Sequence, residues 1–125
     1  MEVLSSRVLL RPVDLERSIS FYATTLALPI YREFGSGDDR GVVFFIGGGF
    51  LEVSGRSGSG PGPIALWLQV RDLPSCHREL AAKGVAVLDP PARRPWGLDE
   101  MWIADPDGVR IALIEVPSDH PLRRR

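Results

Sequence analysis

The sequence predicts an α+β fold built from two βαβββ modules, and three observations carry that prediction. Leu10-Arg11-Pro12-Val13-Asp14-Leu15 matches Leu68-Gln69-Val70-Arg71-Asp72-Leu73 at an offset of 58. A helical pattern followed by three strand-like runs comes after each copy, so the chain reads as one unit repeated. The third observation is the terminal stretch 95–116, PWGLDEMWIADPDGVRIALIEV. There Asp105-Pro106-Asp107-Gly108 is a turn between two alternating apolar runs: Pro presets φ, Asp side chains bond nearby backbone and Gly supplies a positive φ. One such unit has a curved sheet with an uncovered face, and two would enclose a cleft suited to a small ligand.

The elements follow in order. Residues 7–11, RVLLR, form a short strand that Pro12 stops. Asp14 is placed to cap a helix over 15–26, in which Leu15, Ile19, Tyr22, Ala23 and Leu26 make one apolar face. Strands are expected over 29–34, 42–46 and 50–53, with Gly47-Gly48-Gly49 as a turn. The Gly/Ser/Pro run 54–63 reads as a linker. The pattern then restarts with a strand over 64–70 and a helix capped by Asp72 and stopped by Gly84. A strand over 85–88, an irregular proline-rich loop over 89–97 and the final hairpin complete it. The expected division is a first module 1–53, a linker 54–63, a second module 64–117 and a basic tail 118–125.

Composition limits the function classes. A length of 125 residues suffices for a real core, and the formal net charge of −1 lacks the basic excess of a nucleic-acid-binding chain. No apolar run approaches the ~18 residues of a membrane span, and no signal peptide is expected. The single cysteine, Cys76, excludes an internal disulfide and fits a cytoplasmic location. A glycine-rich strand-to-helix phosphate motif and a GxSxG elbow are both missing. Cys76 lies on a helix face among apolar residues and is expected to be an inert thiol.

VDLERSISFYATTLALPI, VRDLPSCHRELAAKGVAVL and the terminal PWGLDEMWIADPDGVRIALIEV together resemble the vicinal oxygen chelate superfamily, the glyoxalase, bleomycin-resistance and extradiol-dioxygenase group. The resemblance covers roughly residues 7–117. It implies two βαβββ modules forming a curved, cup-shaped mixed sheet, and a homodimer. It also implies metal ligands on the first and last strand of each module, at Arg7, Glu52, Ala65 and Ala112. Only Glu52 keeps a ligand-type side chain, and a catalytic cation needs about three protein ligands. The expectation is therefore no metal and no cofactor. A one-residue slip in register would instead bring Glu115 or Gln69 toward the cavity.

Strand alternation places Arg7, Leu9 and Arg11 on one face, with Phe50 and Glu52 together, and Ala65, Trp67 and Gln69 together. An Arg7–Glu52 pair is expected at the former metal position, either gripping a ligand or only satisfying itself. Trp67, Trp96 and Trp102, with Phe44, Phe50 and Tyr22, are candidates to floor a cavity for a flat ligand. Tyr22 and Phe21 are expected in the core. The candidate ligand-binding set is thus Arg7, Leu9, Phe50, Glu52, Trp67, Trp96 and Trp102, with Glu52 and Glu100 as weak catalytic candidates. The favoured reading is a metal-free protein that sequesters a small aromatic metabolite or drug, as in antibiotic resistance. The alternatives are a divalent-metal glyoxalase, lyase or dioxygenase with a non-standard site around Glu52, and an interaction module with a filled cup.

Overall fold

The computed structural model describes residues 2, 4, 7–55 and 64–120. The chain divides into two compact units, Met1–Pro61 and Gly62–Arg125. Positions 56–63 of the expected linker and 121–125 of the expected tail lie outside the described residues. No helix among the described residues is long and apolar enough to cross a membrane.

The first unit holds β1 (Val8–Leu10), α1 (Leu15–Ser20), β2 (Ile30–Phe34), β3 (Gly41–Ile46) and β4 (Gly49–Ser54). Its sheet runs β1-β4-β3-β2, with β1 parallel to β4 and the other pairs antiparallel. Asp14 caps α1 by accepting from the Arg17 N–H at 3.1 Å, and Glu16 adds negative charge at the positive end of the helix. The expected helix over 15–26 is α-helical only to Ser20. Phe21–Thr25 widens into a π turn in which the Leu26 N–H reaches the Phe21 carbonyl at 2.9 Å. The wider turn accommodates two adjacent aromatics on the packed side, so Phe21 and Tyr22 are both buried. Ala27, with a φ of 53°, ends the helical segment before Pro29. Leu15, Ile19 and Tyr22 bury against the sheet face made by Val42, Phe44, Leu51 and Val53, with the Tyr22 and Phe44 rings 6.2 Å apart. Each such side chain removed from water stabilises the fold by about 1.5–3 kcal/mol.

The second unit repeats the topology. It holds β5 (Leu66–Gln69), α2 (Leu73–Ala82), β6 (Ala86–Arg93), β7 (Asp99–Ala104) and β8 (Arg110–Glu115), in sheet order β5-β8-β7-β6. Asp72 caps α2 at the Ser75 N–H, 3.1 Å away, and Gly84 at a φ of 76° turns the chain out of it. The Asp105 carboxylate accepts from the Asp107 and Val109 N–H groups, both at 2.8 Å, which fixes the turn between β7 and β8. The irregular loop expected at 89–97 is corrected: β6 continues through Pro90 and Pro91 to Arg93. It is an edge strand with two register shifts, after Val87 and after Asp89, so the missing proline donors cost no ladder bond.

Candidate functional site

The two faces of the first sheet differ sharply. One is packed on α1. On the other, Leu9 of β1, Glu52 of β4 and Val43 of β3 stand in one row of partners. Arg7 and Arg11 flank Leu9 at two-residue spacing and therefore share its face. Both reach Glu52. Arg7 Nη1 donates to Oε1 at 2.9 Å, and Arg11 Nη1 approaches Oε2 at 3.4 Å. The Ser54 hydroxyl donates to Oε2 at 2.7 Å, and Arg11 Nη1 also donates to Ser54 Oγ. The Glu52 side chain is 12% exposed. The Ser54 hydroxyl above all, then Arg7 and Arg11, hold its carboxyl below the ordinary value of 4.5, against burial that pushes it up.

Beside this cluster lies an aromatic patch. Phe45 and Phe50 are register partners with ring centroids 5.5 Å apart, and Tyr31 contacts them at 5.2 and 4.8 Å. Tyr31 and Phe45 are 50% and 39% exposed, and Leu9 is 48% exposed. Tyr31 reaches this face because β2 bulges between Ile30 and Arg32, making Tyr31 the extra residue opposite β3. Arg32 is the partner of Val43, and its guanidinium lies 5.7 Å from the Phe34 ring centre. A Cβ at Gly41 would meet the Phe34 ring, which lies across it.

Tyr22 is fully buried on the α1 side, as expected of a core residue, and Phe44, a candidate cavity aromatic, is buried there with it. Phe45 and Tyr31 stand on the open face instead. The signal for Phe45 is the hairpin loop. Ile46 pairs with Gly49, so the loop is the two residues Gly47-Gly48 rather than three, and that register sets Phe45 opposite Phe50.

In the second unit Trp67, Ala112 and Trp102 form one row across β5, β8 and β7. Trp67 is 52% exposed. Trp102 packs on the buried cluster Leu98, Ala112, Ile114 and Val116, with the Arg110 guanidinium 4.7 Å from its ring centre. Gln69 pairs with Ile114 and shares the Trp67 face. Trp96 sits in the turn between β6 and β7, and its indole N–H donates to Oε2 of the buried Glu100. Glu115 faces the opposite side and accepts from the Leu73 N–H at 2.7 Å, at the start of α2. A cleft of about 230 Å³ lies on that side, lined by Leu73, Pro91, Arg93, Asp99 and Glu115 among others. Its acids are already engaged, Asp99 by Arg93 and Glu115 by the helix.

The four positions to which the resemblance carries metal ligands do not fit a cation. Ala65 and Ala112 offer no donor, Arg7 carries a fixed positive charge, and both Glu52 oxygens are taken by Arg7, Arg11 and Ser54. Among the described residues, no three or more His, Cys, Asp or Glu side chains gather to hold a metal.

Residues 5–113 match the family model of the Glyoxalase/Bleomycin resistance protein/Dioxygenase superfamily. No curated protein matches the chain. Solved structures share its fold. A superfamily member from Sphaerobacter thermophilus is 24% identical, with 91% of this chain and 98% of that one covered and a TM-score of 0.76. TnmS3, an antibiotic binding protein from a Streptomyces species, is 22% identical, with 93% and 98% covered and a TM-score of 0.77. A lactoylglutathione lyase from Agrobacterium tumefaciens is 18% identical, with 92% and 94% covered and a TM-score of 0.69. With a family match over most of its length and a βαβββ unit in each half, the chain belongs to the glyoxalase/bleomycin resistance protein/dioxygenase superfamily.

Proposed function

We propose that this protein binds a small, flat aromatic ligand on the open face of its first sheet, without a metal and without turnover. The observation that carries this reading is the half-exposed Tyr31–Phe45–Phe50 patch beside a Glu52 whose two oxygens are already engaged. Rigid aromatic side chains offer stacking area and lose few rotamers on binding. Leu9 widens the apolar floor, while Arg7 and Arg11 supply polar contacts at its border. Sequestration of an antibiotic or another aromatic metabolite is the biological role that suits such a site. An antibiotic binding protein with the same fold supports that role. A homodimer in the cytoplasm belongs to the same reading.

The second reading is a lyase-type enzyme centred on Glu52. What favours it is that Glu52, with its carboxyl held below the ordinary value, is where the resemblance carries a metal ligand, and that a lactoylglutathione lyase shares the fold. Calorimetric titration with the neutral probe naphthalene-2-carboxamide tests the proposal. It should bind with one-to-one stoichiometry and be recovered unchanged. Phe50→Ala and Tyr31→Ala should each weaken it about three- to tenfold, the share of one aromatic contact. Equal affinity in wild type and both variants would refute the assigned face.

A further inference from the structure

We infer that the ligand of this face is an aromatic anion, a planar ring system bearing a carboxylate or similar group. The inference rests on the aromatic-ligand reading above and adds the sign of the charge. The open face of the first sheet carries Arg7 and Arg11 on the β1 side and Arg32 on β2, at the opposite edge of the sheet. Across the strand residues of that face and the two arginines that flank β1, Glu52 is the one acid. Three guanidiniums and one carboxylate leave two positive charges there, in a chain whose formal net charge is −1.

The charges are sorted across the sheet rather than scattered. Glu33, the other strand acid of this unit, pairs with Arg40, and Arg40 also holds Glu16 of α1, so these acids serve the helix side. On the open side a single carboxylate is shared by two guanidiniums, and each approaches it through Nη1. Among the described residues, Arg7 and Arg11 make their contacts through Nη1, which leaves Nε and Nη2 as donors for a second acceptor. A guanidinium presents its donors as a planar fork that matches a carboxylate. Glu52 then has two parts. It holds both arginines beside the aromatic floor while the site is empty, and it competes with the ligand's own acid for them. The floor of Tyr31, Phe45 and Phe50 takes the ring system, and the fork takes the anionic group at its edge.

Three probes of one shape separate the charge from the stacking: naphthalene-2-carboxylate, naphthalene-2-carboxamide and naphthalen-2-ylmethylammonium, each titrated calorimetrically into the full chain. The expected order is carboxylate tighter than amide by about tenfold, the factor supplied by one charge-assisted hydrogen bond, and ammonium weakest. Added salt should erode the carboxylate's advantage and leave the amide unchanged. Arg7→Gln should bring the carboxylate down to the amide's level. Glu52→Gln should tighten the carboxylate, because the internal competitor is gone. That gain distinguishes ligand recognition from a purely structural ion cluster. Thermal melts of both variants confirm folding, and Arg11→Gln provides a second, independent removal of charge. Amide and carboxylate of equal affinity would overturn the charge assignment and leave the aromatic site standing. Binding of none of the three would overturn both. A self-association that Phe45→Asp abolishes, with no probe bound, would assign the face to a second copy and also overturn the inference.

Discussion

Glu52→Gln is the perturbation that reports most directly on the arginine cluster. In the wild type one carboxylate accepts from Arg7 at 2.9 Å and from the Ser54 hydroxyl at 2.7 Å, with a longer contact from Arg11 at 3.4 Å. Glutamine keeps the shape but turns one oxygen into a donor, which then faces a donor. A hydrogen bond to a charged group contributes about 1.5–3 kcal/mol and a neutral one about 0.5–1.5 kcal/mol, so losing the charge costs about 1 kcal/mol at each of the two short contacts. The arginine side chains are 34% and 47% exposed, so water replaces part of what they lose and the sum is discounted. The expected destabilisation near neutral pH is about 1–2 kcal/mol, a fall in Tm of about 4–8 °C. The pH dependence has a definite sign. Glu52 is held below its ordinary value of 4.5, so its contribution is complete above 4.5 and is lost as pH falls through the lower folded value. Urea unfolding of both proteins across that range is the assay. A variant as stable as wild type at neutral pH, or a gap that does not narrow in acid, would refute the electrostatic account.

Three further outcomes follow from single contacts. Asp105→Ala removes the acceptor of two backbone N–H groups, one of them on the buried Val109, and should cost about 2–4 kcal/mol in urea unfolding, whereas Asp105→Asn keeps an oxygen and should cost less. Trp96→Phe strips the indole donor from the buried Glu100 and should cost about 1–3 kcal/mol by thermal melting; a neutral result would mean that water serves Glu100 equally well. Burial, followed by the nearby Glu79, Asp72 and Glu115 charges, pushes the Cys76 thiol up. Iodoacetamide should therefore alkylate Cys76 more slowly than a small free thiol near neutral pH, with the difference vanishing in denaturant.

Much of this architecture is legible from local chemistry. The aspartate caps and the DPDG turn are each dictated within a few residues, and the structure places them as those residues require. The Arg7–Glu52 pair was also readable, because alternation alone sets which residues share a face. What was not legible depends on departures from regular geometry. The bulge that brings Tyr31 to the open face has no residue signature of its own, since any of Ile30, Tyr31 and Arg32 could be the inserted one. The π turn at Phe21–Thr25 answers the packing needs of two adjacent aromatics, which helical periodicity alone does not reveal. Pro90 and Pro91 read as loop residues because a proline forfeits a donor, yet they fall in the register shift between Asp89 and Ala92 of an edge strand, where no ladder pairing is made. The face of Phe44 and Phe45 depends on whether the hairpin loop has three glycines or two. A two-residue loop shifts the register and changes which phenylalanine faces the ligand.

We propose that Glu52 serves as an arginine-held anchor rather than as a metal ligand. Calorimetric titration of the purified protein with nickel, zinc, manganese and ferrous ions tests it most directly, with Glu52→Ala as the control and thermal melts to confirm its fold. The account predicts no one-to-one heat beyond that of the control, because a single carboxylate held by two guanidiniums does not make a cation site. A tight one-to-one cation, abolished in Glu52→Ala, would contradict it and put the enzyme reading first.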